Sequence, residues 1–225
     1  MNQKSVIRIK ICCISSVDEA KLAIRYGADA LGLVARMPSG PGPIPDELIA
    51  SIARHIHPPI ASFLLTCEQS AAGIISHAQR TGTNTVQIVD ELAEGTYEEI
   101  RTALPYLKLV QVIHVTGDES IEEAIRVAPQ VDALLLDSGN PKASVKTLGG
   151  TGNVHNWDIS RGIVRSVDVP VFLAGGLNAG NVGEAIERVQ PFGVDICSGV
   201  RTNGALDEEK LRAFVKAARQ SVQLV

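Results

Sequence analysis

Two side chains in this sequence could move a proton between neighbouring carbons. Cys12 stands near the end of the apolar run "VIRIKICCI", and Asp137 ends another, "ALLLDS". A thiolate can take a proton from carbon and a carboxylic acid can supply one, so the two form a candidate base and acid. Taken alone, each has a plainer reading, Cys12 as a small buried apolar residue and Asp137 as a loop cap. On an extended strand Lys10 shares the side of Cys12, and Cys13 faces the opposite way. Two Gly-rich stretches offer a second chemistry. "VPVFLAGGLNAGNVGEAI" begins at Val169 and "FGVDICSGVRTNG" at Phe192, and in each an apolar strand stops at small residues. Backbone N–H groups around Gly175, Gly176, Leu177 and Asn178, and around Ser198 and Gly199, could cradle an anion, most often phosphate. One such turn is ordinary punctuation. Two in succession at the end of a repeating strand–helix chain point to phosphate.

The elements that must position these groups repeat as strand then helix, eight times, with no linker or low-complexity stretch. The strands are expected at Ile7–Ile14, Ala28–Ala35, Ile60–Thr66, Thr85–Val89, Lys108–Val115, Ala133–Asp137, Val169–Ala174 and Val194–Cys197. Ser16 with Glu19, and Asn181 with Glu184, have the spacing of capping boxes that open helices. Further helices are expected at Asp46–His55, Glu68–Arg80, Tyr97–Ala103, Glu122–Val127, Trp157–Val167 and Asp207–Arg219. Near-continuous apolar strands between helices imply a parallel sheet covered on both faces. Eight units in 225 residues favour a single-domain (β/α)8 TIM barrel over residues 1–225, rather than an open doubly wound sheet. An open sheet would more often carry its phosphate loop after the first strand. Here that strand ends in Cys12-Cys13, with no dinucleotide fingerprint.

Composition narrows the partners. The net charge of −4 gives no reason to expect nucleic acid. No apolar run approaches a membrane span, and the N-terminal residues lack the apolar core of a signal peptide, so a cytoplasmic protein is expected. Four cysteines without C-x-x-C spacing suggest reduced thiols rather than a metal site. His114 reads as a strand filler, since no second histidine stands at ligand spacing. Monomer and homodimer both remain open.

Assembled, these motifs carry a resemblance. "KIC" at Lys10, "LLLDS" at Leu134, "GGTG" at Gly149, "LAGGLNAGNV" at Leu173 and "GVDICSGV" at Gly193 resemble phosphoribosylanthranilate isomerase, in order and spacing over essentially the whole chain. The resemblance implies a (β/α)8 barrel of tryptophan biosynthesis that needs no cofactor or metal. It implies Asp137 as the acid that opens the ribose ring and Cys12 as the base that takes the proton from C2. It places the phosphate at Gly175, Gly176, Leu177, Asn178, Ser198 and Gly199, adds Gln87 as a substrate contact, and makes the loop around Gly152 a cover for the site. The chain also departs from the pattern. Cys13 replaces the glycine after the catalytic cysteine. "MPSGPGPI" replaces the stretch whose arginine meets the anthranilate carboxylate, with Gly42 or a neighbour at that position. "VQIVD" ends strand four, and Arg201 replaces a glutamate after strand eight. Arg36 and Arg201 are the candidate substitutes for the missing arginine. Two alternatives stay open: an aldose–ketose isomerase of another phosphosugar without the anthranilate group, and a non-catalytic phosphometabolite-binding barrel.

Overall fold

Pairing of the last strand with the first closes this chain on itself. The computed structural model describes residues 6–139 and 156–221. Its main strands are β1 (Arg8–Ile11), β2 (Ala30–Val34), β3 (Ala61–Thr66), β4 (Thr85–Ile88), β5 (Lys108–His114), β6 (Ala133–Asp137), β7 (Val171–Leu173) and β8 (Gly193–Ile196). They form a closed parallel barrel in sequence order, with β8 pairing back onto β1. Ile9 and Ile11 face the helices and are fully buried, whereas Lys10 and Cys12 face the barrel interior. The same two-residue period sends Leu134 and Leu136 outward and Leu135 inward, and Val194 and Ile196 outward. The expected (β/α)8 barrel is therefore the observed fold.

The helices are α1 (Val17–Arg25), α2 (Asp46–Arg54), α3 (Ala71–Thr81), α4 (Tyr97–Ala103), α5 (Glu119–Val127), α6 (Trp157–Ser166), α7 (Val182–Val189) and α8 (Glu208–Gln220). Ser16 caps α1 by accepting from the N–H of Glu19, as the sequence pattern predicts. Two helix starts differ from expectation. Glu68 lies ahead of α3, because Ser70 accepts from the N–H of Gly73 and fixes the start at Ala71. α5 begins at Glu119, three residues before Glu122. A hairpin of β9 (Arg201–Thr202) and β10 (Ala205–Leu206) follows the barrel and leads into α8. Arg219 of α8 reaches back to the carbonyl of Ile7 and pairs with Asp29 at 2.8 Å, latching the last helix to the first two strands. None of the described helices is long and apolar enough to cross a membrane.

Candidate active site

The C-terminal strand ends open into a pocket lined by Cys12, Gln87, Asp137, Gly175, Gly176, Leu177 and Ser198, among others. Parallel strands bring these ends together from β1, β4, β6, β7 and β8, although up to 186 positions separate them in sequence. One wall is apolar: Val34, Met37, Leu65 and Val112 could hold a flat ring. Gly175 and Gly176 have φ of 81° and 65°, a left-handed pair that side chains other than glycine adopt poorly. Asn181 does not cap α7 as its spacing suggested. Its amide accepts from the N–H of Asn178 at 2.8 Å and donates to the carbonyl of Gly176 at 3.0 Å, clamping the glycine turn from behind. Gly199 lies on the β8 side of the same seam. A Cβ there would sit 2.4 Å from the carbonyl of Leu177, so the two loops touch through backbone alone.

The remaining predicted contacts fall elsewhere. Asn178 is exposed and its side chain holds the N–H of Gly180 rather than facing the pocket. Arg36 is exposed and does not line the pocket, while its carbonyl accepts from Cys67 at 3.4 Å. Arg201 is committed: its guanidinium pairs with Glu19 at 3.0 Å and donates to the carbonyls of Cys13 and Gly204. Asp90 turns to the N–H of Glu91 and also lies outside the lining. His114 holds the carbonyl of Val89, as a strand filler does. Gly152 lies outside the described residues.

Charge at the base of the pocket is concentrated on three groups. Lys10 is fully buried and its ammonium stands 2.8 Å from Asp195, also buried. Burial pulls the Lys10 pKa down, but Asp195 and Cys12 outweigh it and hold the ammonium above its usual range. Burial pushes the Cys12 thiol up to about 11, against the pull of Lys10, and Asp195 and Asp137 add to the rise. Burial likewise raises Asp195, partly offset by Lys10. The upward shift at Cys12 favours the thiol over the thiolate at neutral pH. Asp137 accepts the N–H of Ser138 on one oxygen at 2.7 Å, so the loop-cap reading and a pocket-facing carboxyl hold together.

Two expectations about cysteine fail at Cys13. It does not face away from the pocket, because its φ of 62° breaks the alternation of β1 and turns it into the lining. Nor is it a free thiol: Cys13 and Cys197 form a disulfide, with Cα atoms 5.9 Å apart. Gly42 belongs to the same arrangement. A Cβ at Gly42 would stand 2.6 Å from that of Cys13, so the loop after β2 is free of side chains where Cys13 needs the space. The sequence held the signal in two unusual cysteines, but only the β1–β8 pairing makes them neighbours.

A family model described as N-(5'phosphoribosyl)anthranilate (PRA) isomerase matches residues 9–217. The chain belongs to this family. Within it, "N-(5'-phosphoribosyl)anthranilate isomerase 2" of Methanosarcina mazei is 38% identical, over 95% of this chain and 94% of its own length. The isomerase of Haloferax volcanii is 34% identical over 94% and 93%. The solved phosphoribosyl anthranilate isomerase of Thermotoga maritima superposes with a TM-score of 0.78 at 26% identity, covering 95% of this chain and 99% of that one. The pocket brings together the thiol, the carboxyl and the glycine turn that the sequence motifs singled out. The lining contains no arginine, lysine or histidine among the described residues.

Proposed function

We propose that this chain catalyses the Amadori rearrangement of N-(5-phosphoribosyl)anthranilate to 1-(2-carboxyphenylamino)-1-deoxyribulose 5-phosphate, a step of tryptophan biosynthesis. One observation carries the reading: Cys12 and Asp137 open into one pocket that the Gly175–Gly176 turn and Ser198 also line. The phosphate would sit at that turn, held by its backbone N–H groups. The sugar would then span the mouth between the acid and the base, with the anthranilate ring against Val34, Met37, Leu65 and Val112.

The chemistry needs two proton movements. Asp137 gives a proton to the ring oxygen as the C1–O bond breaks, leaving an open-chain iminium. Cys12, as thiolate, takes the proton from C2, and the electron pair of that C–H bond forms the enolamine. Tautomerisation of the enolamine gives the aminoketone. The iminium is a positive charge created next to the thiol, which favours ionisation of Cys12 at the moment it is needed. The site holds one small phosphosugar, with no role for nucleic acid or membrane. A cytoplasmic location fits a phosphorylated substrate, and the Cys13–Cys197 disulfide would then stand against a reducing glutathione pool.

Freshly generated phosphoribosylanthranilate, followed by loss of its fluorescence, tests the assignment. Wild-type turnover should be lost in Cys12→Ala and in Asp137→Asn, each by about 10²–10⁴-fold, while inorganic phosphate still protects the fold. Full activity in either variant would remove that residue from its role.

A further inference from the structure

The barrel interior contains a charge that substrate contact does not explain. Lys10 is 0% exposed, in a position that barrels ordinarily fill with branched apolar side chains. An ammonium placed there has a cost that must be offset by partners. Asp195 supplies one, its Oδ2 at 2.8 Å, while Asp195 Oδ1 has no hydrogen-bond partner among the described residues. An ammonium carries three N–H donors, and one carboxylate oxygen does not use them all. The Cys12 sulfur is on the same face, two residues along β1.

Gly32 of β2 shows how close the two are. A Cβ built there would stand 2.7 Å from Cys12 Sγ and 3.1 Å from Lys10 Nζ. Sulfur and ammonium thus flank one empty point, and any larger residue at Gly32 would displace both. The charged groups acting on Cys12 are Lys10 of β1, Asp195 of β8 and Asp137 of β6. Lys10 is the positive one.

We infer that Lys10 is the positioning residue of this site: its ammonium, shared between Asp195 and the Cys12 sulfur, is the counter-ion of the thiolate, and Asp195 sets how much of it the sulfur receives. The inference rests on the reading of Cys12 as the base. It gives the buried pair a task beyond filling the barrel, because a thiolate at this depth has no water to stabilise it.

The test reads the thiol directly, without substrate. The rate of Cys12 alkylation by iodoacetamide is followed against pH in the folded full-length protein, by mass spectrometry of the Cys12 peptide. Asp195→Asn keeps the ammonium and replaces the competing carboxylate with an amide of the same shape. It should move the midpoint down by about one pH unit, roughly tenfold more thiolate at a fixed lower pH. Lys10→Met should move it up by a similar amount. The double variant should return to the wild-type midpoint or above it, since the lowering acts through Lys10. A midpoint unchanged or raised in Asp195→Asn would overturn the inference. So would a double variant as low as Asp195→Asn alone. Lys10→Met strands a buried carboxylate and can cost the fold, in which case the other two variants carry the decision. A merely structural Lys10 would change the melting temperature and the plateau rate but not the midpoint. Should Cys12→Ala retain isomerisation, the base assignment falls while the titration still reports on Lys10.

Discussion

Cys13 is bonded to Cys197, so the residue after the proposed base and the residue before Ser198 form one covalent unit across the β1–β8 seam. The bond closes a loop of 184 residues, nearly the whole barrel. Its removal should destabilise the fold by on the order of 2–4 kcal/mol. Calorimetry with and without a dithiol reductant should show the melting temperature falling by about 2–4 °C for each kcal/mol lost. Cys13→Ser should reproduce the reduced value and no longer respond to reductant. Equal melting temperatures with and without reductant would remove the bond from the stability of the protein.

The ionisation of Cys12 predicts a pH profile. Burial raises its pKa to about 11, so the thiolate fraction of the free protein grows with each step upward through neutral pH. The rate of Cys12 alkylation, which needs the thiolate alone, should rise with pH by about tenfold per unit at most, with no plateau around neutrality. An alkylation rate already flat near neutral pH would mean that the thiol ionises far below this range.

Arg36 offers the sharpest check on substrate recognition. Its side chain is exposed and away from the pocket lining. Arg36→Ala should therefore leave KM within about twofold, whereas loss of a buried carboxylate partner costs about 2–5 kcal/mol. A rise in KM of roughly 30-fold or more would assign Arg36 to the anthranilate carboxylate in the bound state.

Arg201 has a structural task. Glu19 meets burial that opposes its charge, yet hydrogen bonds from Arg201 and the N–H groups of Leu206 and Ser15 outweigh it and hold its pKa below the usual value. A carboxyl with a depressed folded pKa stabilises the fold above its unfolded pKa and loses that contribution as pH falls through the folded one. Arg201→Met should cost about 1.5–3 kcal/mol at neutral pH, read as a lower urea midpoint. The gap from wild type should narrow on acidification below the ordinary carboxylate range. An equal gap at both pH values would show that the pair's charge contributes nothing.

The barrel was legible because its signal is repeated in every unit: an apolar strand, a turn, an amphipathic helix. Cys12 and Asp137 were legible because each ends a strand whose place in the repeat could be counted. What escaped were relationships between distant loops. The pattern Asn181–Glu184 reads as a helix cap, but the amide found a stronger use behind Gly176. Gly42 reads as the loss of an arginine, and only its approach to Cys13 shows what occupies the space. Arg201 reads as a spare cation until Glu19, 182 positions away, is seen beside it. Strand counting places residues at the same end of a barrel, but it does not tell which of them touch.

The latch between Arg219 and Ile7 has a consequence for how the chain could be cut and rejoined. It holds the last helix beside the first strand, on the side of the barrel opposite the pocket mouth. A short linker between these segments would close the polypeptide with little added entropy cost. New termini could then be opened in a surface loop between two strand–helix units. A chain reordered in this way would keep every residue of the pocket lining, since all of them lie between Cys12 and Ser198.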